Sequence, residues 1–177
     1  DDLTYTKLRF DVDSLEFACK NLYRFDDALA RAVIWLALWD MTRDGELPAK
    51  KFITTTLAML ATETESTTFR YALAELSTTV HHYTDRTKRD QIAKYVAGEL
   101  WKLAAAAQPG SDNQFQLVGA YLTYGTLGDE EFVANVQGLF DGSVVLNGLD
   151  IDNNMRWALI HALAAVDVMS NEQINEE

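Results

Sequence analysis

Cysteine is all but missing from this 177-residue chain. Cys19 stands alone, which excludes an internal disulfide and suits a reducing compartment. Proline occurs twice, as Pro48 and Pro109. Long apolar runs are missing as well: the longest uncharged one, Ala32 to Trp39, has eight residues and is too short to cross a bilayer. Basic residues are scarce, with 15 Lys+Arg against 27 Asp+Glu and a formal net charge of −12. That balance argues against a nucleic-acid partner, which demands a basic stripe to neutralise phosphates. It argues equally against an anionic membrane surface. A reducing, cytoplasmic setting and no nucleic-acid or membrane partner are therefore expected.

What is present is a globular composition. Hydrophobic residues make up 48% of the chain, far above what a disordered segment carries, and the length suffices for one domain with a real core. Helical periodicity dominates. A helix from about Ser14 to Arg24 is followed by Asp26 as N-cap of a second helix running to Asp44, which Gly45 ends. That second helix is apolar nearly all round (Val33, Ile34, Trp35, Leu36, Leu38, Trp39) and should be central. Pro48 sits where a first turn tolerates proline, and Phe52, Ile53, Leu57 and Leu60 form one face of the third helix.

The spacing of Phe69, Leu73, Leu76, Val80 and Tyr83 predicts a buried stripe, and Ile92, Val96, Leu100, Leu103 and Ala107 repeat the pattern. Three more helices are expected over about Asp112–Thr126, Asp129–Phe140 and Asn153–Val168. The alternation over Leu3–Phe10 suggests a short N-terminal strand or extended arm. Ser170-Asn171-Glu172-Gln173 reads either as a capping box opening another helix just before the chain stops or as the start of a disordered acidic tail. Both ends are compatible with a piece of something larger. Eight helices pair naturally into four hairpins starting near Ser14, Pro48, Arg86 and Asp129, offsets of 34, 38 and 43 residues. The expected fold is all-α: antiparallel helix pairs stacked as a HEAT- or armadillo-like superhelical array, undivided by any polar linker.

Residues able to do chemistry are few and dispersed. His81 and His82 are adjacent, so on a helix they diverge by about 100° and do not converge on one metal. Their expected place is a helix C-terminus, where positive charge is welcome. His161 lies beside an apolar face and reads as a core or boundary residue. Asp150, Asp152 and Asn154 imitate the start of a calcium loop, but Met155 replaces the glycine at the sixth position and His161 the glutamate at the twelfth. A turn and helix N-cap is the better reading. Glu63 and Glu65 read as exposed loop acids, and Cys19 as a packed or idle thiol. Trp35, Trp39, Trp101 and Trp157 all fall within helices and read as core. The words H-E-x-x-H, G-x-x-x-x-G-K-[ST] and G-x-S-x-G do not occur. No catalytic, cofactor-binding or metal-ligating residue is assigned.

One stretch is more distinctive than its composition. Asp26-Asp27-Ala28-Leu29-Ala30-Arg31-Ala32 leads into Ala37-Leu38-Trp39-Asp40-Met41-Thr42-Arg43-Asp44-Gly45-Glu46-Leu47-Pro48, and Glu63-Thr64-Glu65 follows the next helix. This resembles the C-terminal helical domain of zinc aminopeptidases of the aminopeptidase N type, with the pattern falling on Arg31, Asp40, Gly45, Leu47 and Glu63-Thr64-Glu65. Asp1 to Asp11 is similar to the segment that joins the family's small β-domain to its helical domain. Leu146-Asn147-Gly148-Leu149 and Arg156-Trp157-Ala158-Leu159 are similar to a turn and helix start late in that domain.

The resemblance implies that residues 1–12 are the end of a linker and 13–177 an incomplete C-terminal α-helical domain. It also implies a parent enzyme that removes N-terminal residues from peptides with one zinc ion, held by two His of H-E-x-x-H and a later Glu. A G-x-M-E-N motif would hold the peptide's amino end. None of these elements lies in this chain, so its expected partners are the catalytic domain of the same parent chain and peptide substrates, whose access it would gate. A free-standing α-solenoid that binds a protein or peptide is the alternative.

Overall fold

The computed structural model describes residues 6–175. Nine α-helices and two short 3-10 turns account for the regular structure, and no strand is present among the described residues. The fold is all-α. The chain divides into two compact units, Asp1–Arg86 and Thr87–Glu177, at the point where the third helix pair was expected to begin.

In the first unit, α1 (Val12–Asn21) passes through a 3-10 turn, Leu22–Arg24, before α2 (Ala28–Arg43), α3 (Ala49–Leu60) and α4 (Ser66–His82). The cap of α2 is Asp27, one residue later than expected, with its carboxylate accepting from the N–H of Ala30 at 3.0 Å. Gly45 closes α2 at φ +77°, a conformation that a residue with a Cβ pays for in backbone strain. Of the anticipated pairs, α3 packs on α4, but α1 packs on α3, and the 3-10 turn lies against both α2 and α3. The reason is visible at the end of α1: Leu22, 1% exposed, turns the chain inward.

Trp35, Leu38, Trp39, Phe52, Met59, Phe69, Leu76 and Val80 form the buried centre of this unit. The Phe52 ring lies between Trp35 and Trp39, at 5.9 and 5.5 Å between centroids. Trp35 Nε1–H donates to Thr56 Oγ1 at 3.2 Å, so the indole enters the core without losing its hydrogen bond. Two expectations fail in detail. Tyr83 is exposed and meets only the edge of Trp39. On α2, Leu36 is exposed, so an outward strip interrupts a helix that Trp35, Ala37, Leu38, Trp39 and Met41 bury over most of its circumference.

The second unit contains α5 (Arg89–Ala106), α6 (Asp112–Tyr121) with a 3-10 turn at Leu122–Tyr124, α7 (Glu130–Asp141), α8 (Asn153–Ala165) and the short α9 (Asn171–Asn175). Here both expected pairs are present, α5 with α6 and α7 with α8. Helix α8 stops at Ala165, not Val168, because Asp167 takes a left-handed φ of +58°. A helix does open after Ser170, as its capping signal suggested. On α5 the inward residues are Ala93, Val96, Ala97, Leu100 and Ala104, while Leu103 is only half-buried. Gln114 ties two turns together: its side-chain N–H groups donate to the carbonyls of Ala104 (3.3 Å) and Asn147 (3.1 Å), and its carbonyl accepts from the N–H of Gly110 at 2.8 Å.

The N-terminal arm is a strap, not a strand. Residues 6–10 have no regular secondary structure, and residues 3–5 of the anticipated alternation lie outside the described part. Lys7 and Arg9 instead bind the turn after α2: Lys7 Nζ reaches Asp44 at 2.8 Å, while Arg9 pairs with both Asp44 and Glu46.

Candidate functional site

Two constellations stand out, one in each unit. The first is a buried ion pair. Arg31, on the first turns of α2, is 8% exposed, and Glu63, in the turn after α3, is 2% exposed. The guanidinium meets the carboxylate side-on: Nε–H donates to Oε2 at 2.9 Å and Nη2–H to Oε1 at 2.8 Å. Nη1–H donates to the carbonyls of Phe25 (2.7 Å) and Asp26 (3.0 Å). Glu63 Oε1 also accepts from the backbone N–H groups of Thr64 and Glu65, both at 2.9 Å. Burial pushes the Glu63 carboxyl up, but the Arg31 hydrogen bond, the Glu65 N–H and the Arg31 charge outweigh it and hold the group below its ordinary range. Such a pair is a clamp on two turns.

This corrects the reading of Glu63 as an exposed loop acid. Glu65 has a separate task, capping α4 through the N–H of Thr68 at 2.7 Å. Asp40 does not face Arg31; its nearest cation is Arg43, at 3.8 Å.

The second constellation is a shallow open cleft between α5, the end of α6 and the start of α7, with about 20 Å³ of water-accessible space, room for about one water. From α5 come Lys94, Ala97, Gly98 and Trp101, spaced so that they share one face of the helix. Tyr121 supplies the end wall from α6, and Asp129, Glu131, Phe132 and Asn135 come from α7 and its cap. The rings of Trp101 and Phe132 each lie 5.0 Å from that of Tyr121. Asp129 caps α7 through the N–H of Phe132 at 3.4 Å and accepts from Lys94 Nζ at 2.9 Å. Tyr121 Oη accepts from Asn135 Nδ2–H at 3.4 Å.

The electrostatics of the cleft are negative. Burial pushes the Tyr121 hydroxyl up to about 12; the charges of Asp129 and Glu131 add to that, and the Asn135 hydrogen bond opposes it. Lys94 is also raised, by its hydrogen bond to Asp129 and then by the charges of Asp129, Glu131 and Glu130. No base is held next to a nucleophile here, so the cleft can bind but is not arranged for proton transfer. Sequence reasoning missed it entirely. Gly98 was the available signal, a glycine in the middle of an otherwise strong helix.

The other candidates are scattered. His81 and His82 end α4, the placement expected from their position before a turn. His161 is exposed rather than core, with its ring 6.1 Å from that of Trp157, itself 45% exposed. Both sit on the outward side of α8, because Leu159, Ile160 and Leu163 take the inward side. Trp35 and Trp39 are core, and Trp101 is half-buried. Asp152 caps α8 through the N–H of Met155 at 2.8 Å, as the turn-and-cap reading required. Cys19 is half-buried, and burial pushes its thiol up, away from nucleophilic use. Among the described residues no three His, Cys, Asp or Glu side chains gather as a metal site.

Residues 1–177, the whole chain, match the model of the ERAP1-like C-terminal domain family. The chain belongs to that family. Within this ERAP1-like C-terminal domain, the Arg31–Glu63 clamp and Gly45 are the places where the distinctive words of the sequence do structural work. The chain is also 30% identical over 178 residues to aminopeptidase N of Streptomyces lividans. That alignment covers 100% of this chain and 20% of the relative, so the chain spans a fifth of that protein's length. No helix among the described residues is long and apolar enough to cross a membrane.

Proposed function

We propose that this chain is the non-catalytic helical domain of a cytoplasmic zinc-dependent aminopeptidase, capping the active site and gating the entry of peptides. The supporting observation is the match of the entire chain to the ERAP1-like C-terminal domain family, together with its likeness to a fifth of an aminopeptidase N. In this reading residues 1–12 end a linker from a preceding β-domain, and 13–177 are part of the helical domain. The catalytic domain of the same polypeptide is its partner. The described residues offer no ligand set that fits zinc, so the ion would be held elsewhere in the polypeptide. There it would polarise the scissile carbonyl and activate water.

This chain's contribution is steric and electrostatic: rigid helix pairs that restrict access, on a surface rich in carboxylates. The test uses the complete polypeptide. It should bind one zinc, release N-terminal residues and lose activity to a chelator. Deleting residues 13–177 should alter the rate on a ten-residue peptide more than on an aminoacyl anilide. A complete polypeptide without zinc-dependent hydrolysis overturns the reading, as does a deletion that changes both substrates equally.

A further inference from the structure

Asn147-Gly148 is the chain's one Asn-Gly pair. It lies in the turn between α7 and α8. Leu149 N–H donates to the Leu146 carbonyl at 3.0 Å, and Gly148 takes φ +79° while Asn147 is not left-handed, which makes a type II turn. Both residues are exposed. No hydrogen bond among the described residues engages the Asn147 side chain or the Gly148 N–H. The glycine is required: a Cβ there would lie 2.5 Å from the Gly110 nitrogen and 2.6 Å from the Pro109 carbonyl carbon. The Asn147 carbonyl, by contrast, is held. Gln114, 2% exposed, donates to it at 3.1 Å. A type II turn sets ψ of its second residue near ~+120°, which rotates Cβ of Asn147 away from the Gly148 nitrogen. Closing a five-membered ring between them requires the two to be nearly eclipsed.

We propose that Asn147 is a site of spontaneous modification, gated by opening of the turn that Gln114 holds. The Gly148 nitrogen, having lost its proton to hydroxide, attacks Cγ of Asn147. A C–N bond closes the cyclic imide, the Cγ–Nδ2 bond breaks, and ammonia leaves with the proton it needs from water. Water then adds to either imide carbonyl, and ring opening gives aspartate or isoaspartate. Each product carries one more negative charge. Isoaspartate also reroutes the backbone through the side chain, so the carbonyl that Gln114 holds becomes a pendant carboxylate. The two Asp-Gly pairs differ from this one. Asp44 is bound by Lys7 and Arg9, and Asp141 accepts from the Ser143 N–H. These contacts favour the ionised carboxylates, which are poor electrophiles.

The test incubates the complete polypeptide at mildly alkaline pH in water enriched in heavy oxygen. Mass spectrometry follows the tryptic peptide Leu103–Arg156, in which Asn113, Asn135, Asn153 and Asn154 serve as internal references. Conversion is expected at Asn147 ahead of all four, with uptake of heavy oxygen and with both aspartate and isoaspartate formed. Gln114→Met frees the turn and should raise the rate about fivefold, the worth of one hydrogen bond. The guanidinium-unfolded chain has no turn and should convert faster still, a comparison that stands even where Gln114→Met fails to fold. Asn147→Gln should stay unmodified, because its ring would need six members. The isoaspartate fraction, separated by anion exchange, should melt at a lower temperature than fresh protein. No conversion at Asn147 in the folded polypeptide, or products without isoaspartate, would overturn the site. Equal rates in folded and unfolded chains, or in wild type and a folded Gln114→Met variant, would overturn the gate.

Discussion

Glu63 is buried and answers the charge of Arg31, so its loss should weigh heavily on the first unit. Truncation by Glu63→Ala leaves the Arg31 guanidinium buried without its anion, and breaking a buried pair this way costs about 3–5 kcal/mol. Urea unfolding followed by the Trp35 and Trp39 fluorescence of that unit is the measurement, and a loss under 1 kcal/mol contradicts the clamp. The double change Arg31→Met with Glu63→Leu should recover part of the loss, because it removes both charges together but leaves the carbonyls of Phe25 and Asp26 and the N–H groups of Thr64 and Glu65 without their side-chain partners. The same group makes stability depend on pH. Its folded pKa is depressed below the ordinary value of 4.5, so the unfolded chain binds its proton first as pH falls. Its contribution is complete above pH 4.5 and is lost as pH drops through the lower, folded value. Glu63→Gln should flatten that part of the stability profile.

At the scale of the element, one substitution has opposite signs at two positions, past the end of α2 and inside α5. Gly45→Ala, at φ +77° with open space around it, should destabilise by about 1 kcal/mol through backbone strain alone. Gly98→Ala, in ordinary helix geometry, should stabilise by roughly 0.5–1 kcal/mol. Thermal midpoints of the two variants moving in the same direction would contradict this assignment. The helix starts explain where much of the acid goes. Asp11, Asp27, Glu65, Asp129 and Asp152 each cap a helix with a side-chain carboxylate, where the positive end of the helix dipole favours negative charge. Asp152→Ala should therefore cost about 1 kcal/mol and fray the start of α8, read as faster amide exchange at Met155.

For the whole molecule the governing quantity is the net charge of −12. Self-repulsion of that size works against the compact state and is screened by salt. The Lys7 and Arg9 pairs with Asp44 and Glu46 oppose it, but partly exposed pairs contribute little. Thermal midpoints should accordingly rise as sodium chloride goes from low concentration to about 0.5 M, where the Debye length falls to a few ångströms. A fall would mean that attractive surface pairs outweigh the repulsion.

The sequence by itself determined what depends on neighbours a few residues apart. The 3.6-residue recurrence of apolar positions marked the α-helices, and Asp129, Asp152, Gly45 and Pro48 marked borders to within a residue or two, because caps act through the next backbone N–H groups. Charge and composition set expectations about classes of partner, since they need no coordinates. At α2 the boundary slipped by one residue, from the expected cap Asp26 to Asp27. Tertiary structure alone decided which distant residues meet. Arg31 and Glu63 are 32 positions apart, and nothing local distinguishes Glu63 from an exposed turn acid until α3 carries it back against α2. The cleft draws on residues from Lys94 to Asn135 across three helices. Its existence follows from the packing of α5 against α6, a long-range event that no periodicity encodes.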